Sequence, residues 1–87
     1  MTYKTFPLKS LNGSSMRTLA EDNTKAYHAL EQALEKVVDA APHGRDYVGR
    51  DDVYQAAREE HLKSVMALKQ MIDFHLAKAM HCFDQSK

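Results

Sequence analysis

Three of the chain's five glycine and proline residues fall within nine positions, Pro42-His43-Gly44-Arg45-Asp46-Tyr47-Val48-Gly49-Arg50. From Val53 to Lys87 there is neither glycine nor proline. Proline disfavours helix in the residue before it, and glycine suits a helix stop. A chain of 87 residues punctuated in this way has two long stretches free to be helical and one short tip between them. The fold expected is all-α: a long helical hairpin over residues 14–87, with helices at about 15–41 and 52–83, preceded by an extended N-terminal arm over residues 1–13.

The apolar periodicity supports this division. Met16, Leu19, Ala26, Leu30, Ala33, Val37 and Ala40 follow one another mostly at steps of three and four, and Tyr27, Leu34, Val38 and Ala41 widen the stripe, a seam for packing along a second helix. Asn23 fills the gap between Leu19 and Ala26, where a polar seam residue fixes register. Ser14 or Ser15 caps this helix, or Thr18-Leu19-Ala20-Glu21 does so as a capping box one turn later. The second helix opens at Asp51 or Asp52, acids that suit the positive end of a helix. Its densest apolar face runs through His61, Val65, Leu68, Ile72, Leu76, Ala79 and Phe83. Lys63, Gln70 and His81 form its one clearly polar ridge.

Met66, Met71, Phe74, Met80 and Cys82 lie off that face, so the second helix carries more apolar surface than one partner helix covers. Paired from the tip, it would overhang the first by about two turns, on a rise of ~1.5 Å per residue. Leu76, Met80 and Phe83 lie in that overhang. The arm, with Tyr3, Phe6, Leu8 and Leu11, is expected to lie over part of it and a second copy of the chain over the rest. A homo-oligomer follows, since a short chain buries little by itself.

Composition narrows the function. The net charge of zero argues against a general nucleic-acid coat. Charge is nevertheless divided: Lys4, Lys9 and Arg17 stand without an acid in residues 1–17, while Glu21, Asp22, Glu31, Glu35 and Asp39 outnumber Lys25 and Lys36 in residues 18–41. The single cysteine, Cys82, makes no internal disulfide, and no apolar run reaches the ~18 residues of a membrane span. The N-terminal residues lack the apolar core of a signal peptide, so the expected location is cytoplasmic.

The tip concentrates the chain's binding chemistry. Arg45 and Arg50 carry planar forks that match phosphate or carboxylate, and Tyr47 and His43 offer rings to a base or sugar. Tyr3 and Lys4 of a neighbouring copy would complete a site for an anionic, nucleotide-like ligand where subunits meet. Against this stands a purely structural use, with Arg45 paired to Asp46 or Asp51 and Tyr47 plugging the hairpin. Metal-ligand spacing is absent, because no two histidines lie three or four apart, and no cofactor is implied. Cys82 sits near a helix C-terminus, where the dipole disfavours a thiolate, and Ser14 and Ser15 read as caps. No constellation for catalysis emerges, so the expectation is a protein that is not an enzyme.

Residues 40–72 resemble a set of small phage and prophage helical-hairpin proteins. The resemblance lies in the turn His43-Gly44-Arg45-Asp46-Tyr47 and in the Glu60-His61 pair early in the helix that follows. Those proteins often carry a second tyrosine where Val48 stands. The resemblance implies a phage accessory protein acting in the host cytoplasm, either sequestering a nucleotide signal to counter host defence or binding and inhibiting a host protein. A purely structural oligomer is the remaining alternative.

Overall fold

The computed structural model describes residues 5–8 and 15–86. Among them the only regular elements are two long helices, α1 (Met16–Asp39) and α2 (Asp51–Gln85), and between them a single 3-10 turn at Gly44–Tyr47. The hairpin is long and thin, 63 × 22 × 17 Å. Its shape follows from α2, whose 35 residues at ~1.5 Å each account for most of the longest dimension.

Ser15 caps α1: its Oγ accepts the Thr18 amide at 3.0 Å, while its carbonyl accepts from Leu19. This decides between the two starts in favour of the first. The helix ends two residues earlier than expected, with the Ala40 amide donating back to the carbonyls of Lys36, Val37 and Val38. Pro42 is the cause, since the residue before a proline avoids helical backbone. Helix α2 runs two residues further than expected, to Gln85, where the Ser86 amide donates to Cys82 and Phe83. At its start the cap position falls to Arg50, whose side chain makes no capping bond, and Asp51 and Asp52 occupy the first turn instead.

The seam between the helices departs from the expected lists on both sides. Along α1 and just past its end, Ala33 and Ala40, expected on the centre line, are exposed, while Leu34 and Ala41, expected at its margin, are half-buried. On α2, His75 and Cys82 turn inward, and Leu76 and Phe83, expected inside, are exposed. The seam of α2 therefore reads His61, Val65, Leu68, Ile72, His75, Ala79 and Cys82, an unbroken alternation of four and three. A 4-3 alternation follows one stripe of a gently coiled helix, whereas the expected list drifted off the stripe to reach larger side chains.

The pairing register also differs from expectation. Met16, Ala20 and Cys82 form the buried cluster at the end far from the tip, and Asn23 meets His75 beside it. With α1 starting opposite Cys82, the unpaired turns of α2 lie at its N-terminus, next to the tip, and not at its C-terminus. The linker explains this. Its 3-10 turn packs along the first turns of α2, so that Gly44 lies under the Tyr54 ring, where an added Cβ would stand 3.6 Å from it. Leu76, Met80 and Phe83 are exposed because they point sideways, not because they overhang.

The described part of the arm does cover α2. Phe6 meets Phe74 edge-on at 5.6 Å and lies 5.4 Å from the His81 ring. His81 Nε2 donates to the Pro7 carbonyl at 2.8 Å. His81 is thus a docking point for the arm and not part of a polar ridge. Leu8 is exposed, and Tyr3, Lys4 and Leu11 lie outside the described residues.

Candidate functional site

The tip is built from two successive reversals. In the 3-10 turn the Asp46 amide donates to His43 O at 3.0 Å. In the second reversal the Arg50 amide donates to Tyr47 O at 2.8 Å, with Val48 at φ −55°, ψ 126° and Gly49 at φ 75°. These are the angles of a type II turn, whose third position needs a positive φ and therefore glycine. The spacing of Pro42, Gly44 and Gly49 marks a turn here without distinguishing its two parts.

The turn sorts the tip residues into two groups. Tyr47 is half-buried, with its ring 5.6 Å from that of Tyr54, and Arg58 lies 5.7 Å over the other tyrosine. A short stack of Tyr47, Tyr54 and Arg58 thus ties the tip to α2. His43, Arg45 and Arg50 are exposed outside it. Among the described residues neither arginine forms an ion pair with Asp46, Asp51 or any other acid. His43, Arg45, Tyr47 and Arg50 line neither of the two hollows described below. Tyr3 and Lys4, the expected contribution from a neighbour, lie outside the described residues.

Two hollows lie along the same side of the hairpin, one heptad apart on α2. The one nearer the tip, about 350 Å³, is lined by Ala41, Pro42, Gln55, Arg58, His61 and Val65 among others. The other, about 480 Å³, has Leu34, Val38 and Ile72 as its apolar floor and Glu31, Glu35, Asp39, Asp73 and Lys69 at its edge. Sequence reasoning missed Arg58. Its position four residues after Tyr54 on one helix was the available signal, because that spacing sets a cation over a ring.

The remaining candidates are occupied structurally. Asn23 Oδ1 accepts from His75 Nδ1 at 2.9 Å, while Asn23 Nδ2 donates to Leu19 O at 2.8 Å. His28 pairs with Glu31 at 3.4 Å on the surface. Burial pushes the Cys82 thiol above its ordinary pKa, with Lys78 pulling weakly the other way. No cluster of three or more potential metal ligands occurs among the described residues. Nor, among those residues, is any helix long and apolar enough to cross a membrane.

A row of exposed apolar side chains lies outside the tip. Leu62, Met66 and Met80 are 57%, 53% and 59% exposed, and Leu76 and Phe83 are exposed beside them on the flank of α2. This flank is about a quarter-turn around α2 from the α1 seam, on the side of the two hollows. Compared with known proteins, the chain matches no family model, no curated protein and no solved structure.

Proposed function

We propose that this protein is a non-catalytic interaction module in which helical hairpins assemble with copies of themselves through the outer flank of α2. The observation that carries this reading is the row of large exposed apolar side chains on a chain whose own core is small. Only Met16, Ala20, Ala79 and Cys82 are buried apolar residues among those described. The accessible surface is 6757 Å², against about 5,200 Å² for a compact monomer of this mass. Monomeric proteins rarely leave extended apolar patches uncovered. Light scattering at micromolar concentration tests the reading: a multiple of the 9.9 kDa chain mass is expected, and the chain mass alone across a hundredfold range would end it.

A second reading concerns the tip, and the two unpaired guanidinium groups of Arg45 and Arg50 favour it. Beside them the Tyr47–Tyr54 pair supplies flat ring surface, and Arg58 a third cation. The ligand class is an anionic, ring-containing molecule of nucleotide type, bound where His43, Arg45, Tyr47 and Arg50 meet Tyr3 and Lys4 of another copy. The resemblance of the turn to phage hairpin proteins supplies the setting: sequestration of a nucleotide signal in a host cell, or inhibition of a host protein. Melts with a panel of cyclic di- and trinucleotides test it, because a ligand that binds only the folded state raises Tm with its concentration. No shift with any of them, and none altered by Arg45→Ala with Arg50→Ala, would remove it.

A further inference from the structure

The exposed flank of α2 has an order that a generic greasy surface lacks. Leu62, Met66, Lys69, Asp73, Leu76 and Met80 follow one another at steps of four and three, and Phe83 extends the series. All are exposed. This is a second heptad stripe, separate from the seam that faces α1, with two charges at its middle. We infer that this stripe is an interface with a second copy of the chain, packed antiparallel about a two-fold axis beside residue 71. The inference rests on the self-association proposed above and specifies its surface, orientation and register.

The charges select that arrangement. In the antiparallel register Leu62 lies against the partner's Met80, Met66 against the partner's Leu76, and Lys69 against the partner's Asp73. The two-fold axis repeats each pair. Every apolar position then meets an apolar one, and each charge meets its opposite. A slip of one heptad in one direction sets Lys69 on Met80 and Asp73 on Leu76. A slip in the other sets Leu62 on Asp73 and Met66 on Lys69. Either buries both charges without partners, which costs more than a polar pair contributes. A parallel pairing is worse, since it sets Lys69 on Lys69 and Asp73 on Asp73. Polar residues at core positions are the usual means by which paired helices fix register.

The flanking positions away from α1 are compatible. Lys63, Gln70 and Ala77 border the stripe away from α1; across the axis Gln70 would meet its own copy, and Lys63 the partner's Ala77, so no like charges coincide. The axis lies perpendicular to the antiparallel helices and to the line joining them. It therefore carries both α1 helices to the same side, giving a four-helix arrangement. The groove floored by Leu34, Val38 and Ile72 then opens between the two copies.

The test is a charge exchange read by sedimentation equilibrium, with circular dichroism as the check on helix content. Lys69→Asp and Asp73→Lys each set like charges against each other in both central layers. Each should weaken the wild-type dimer about tenfold or more, since repulsion replaces attraction twice. The double exchange should restore the dimer. An equimolar mixture of the two single variants should form a heterodimer, with two acids on one chain facing two bases on the other. Orientation is read by oxidation: Met66→Cys/Leu76→Cys should cross-link between chains, whereas Met66→Cys alone should not. A cross-link from Met66→Cys alone would overturn the orientation, and a dimer indifferent to all the exchanges would overturn the register while leaving self-association in place. A monomeric wild type would overturn both.

Discussion

Asn23 on α1 and His75 on α2 join the two helices by a side-chain hydrogen bond of 2.9 Å. Asn23 is the one polar residue buried among those described, at 9% exposure, and its two hydrogen bonds fix the amide in one orientation. Asn23→Ala removes the acceptor of the His75 N–H while leaving that donor half-buried. A lost hydrogen bond of this kind costs about 1–3 kcal/mol, and alanine's better helix propensity returns about 0.5 kcal/mol, so a net loss of about 1–2 kcal/mol is expected. For a chain of this size that lowers Tm by roughly 4–16 °C, at 4–8 °C per kcal/mol. His75→Ala should cost a similar amount, and the double variant should show a coupling of about 1 kcal/mol in the cycle measured by urea unfolding at fixed chain concentration. The pair Asn23→Leu/His75→Leu should be near neutral or stabilising, because two apolar groups replace two satisfied polar ones. A coupling below about 0.3 kcal/mol would show that the bond contributes nothing and would refute the argument.

Three further outcomes follow from the geometry. Gly49→Ala places a Cβ at φ 75° in the type II turn and should cost about 1 kcal/mol in a thermal melt, although nothing crowds that Cβ; an unchanged Tm would refute the strain. Phe6→Ala should cost about 1–2 kcal/mol by the same measurement, less than a core phenylalanine, because Phe6 is only half-buried against Phe74 and His81. Cys82, at 0% exposure, should react with a thiol reagent at least about a hundredfold more slowly in the folded chain than in urea. Because folding raises its pKa, the folded state holds the thiol proton more tightly; that contribution to stability is intact below the unfolded thiol pKa and declines as pH rises through the folded value. Urea melts between pH 7 and pH 10 check the sign, and Cys82→Ala should flatten the decline.

The helical hairpin was legible because its determinants are local. Pro42 stops one helix, Gly49 supplies the positive φ of the turn, and nothing between Val53 and Lys87 interrupts the other. The role of Asn23 was legible too, since it interrupts an apolar seam at a seam position. What the sequence did not reveal was the rotation of α2 past residue 72. Hydrophobicity favours Leu76 and Phe83 as the inward residues, whereas the close approach of the helices at Ala20 and Ala79 favours the smaller Cys82. His75 enters because Asn23 stands opposite to accept a hydrogen bond from its Nδ1–H. The register depended on how much of α2 the linker covers, and that is decided by the Tyr54 ring lying on Gly44, a contact no periodicity encodes. At the tip, the sequence leaves Tyr47 equally suited to stacking on a ligand and to plugging the hairpin; its ring lies against Tyr54, and Arg45 and Arg50 are exposed.

This division of side chains has an energetic consequence. Past residue 72, helix α2 turns small and polar residues (His75, Ala79, Cys82) toward α1 and Leu76, Met80 and Phe83 outward. A fully buried large apolar side chain contributes about 1.5–3 kcal/mol, and the inward residues at the closed end mostly forgo that. A short chain with so thin a core is marginal alone, and covering Leu62, Met66, Leu76, Met80 and Phe83 against a second copy would supply what the seam lacks. Folding and association should then be coupled, so that stability depends on how much chain is present. A tenfold rise in concentration is worth about 1.4 kcal/mol per dimer, which on the unfolding entropy of two such chains raises Tm by about 3–5 °C. Differential scanning over a hundredfold range reads this directly. A Tm that stays level across the range would mean that the small inner cluster suffices, and that the outward residues have no part in holding the hairpin together.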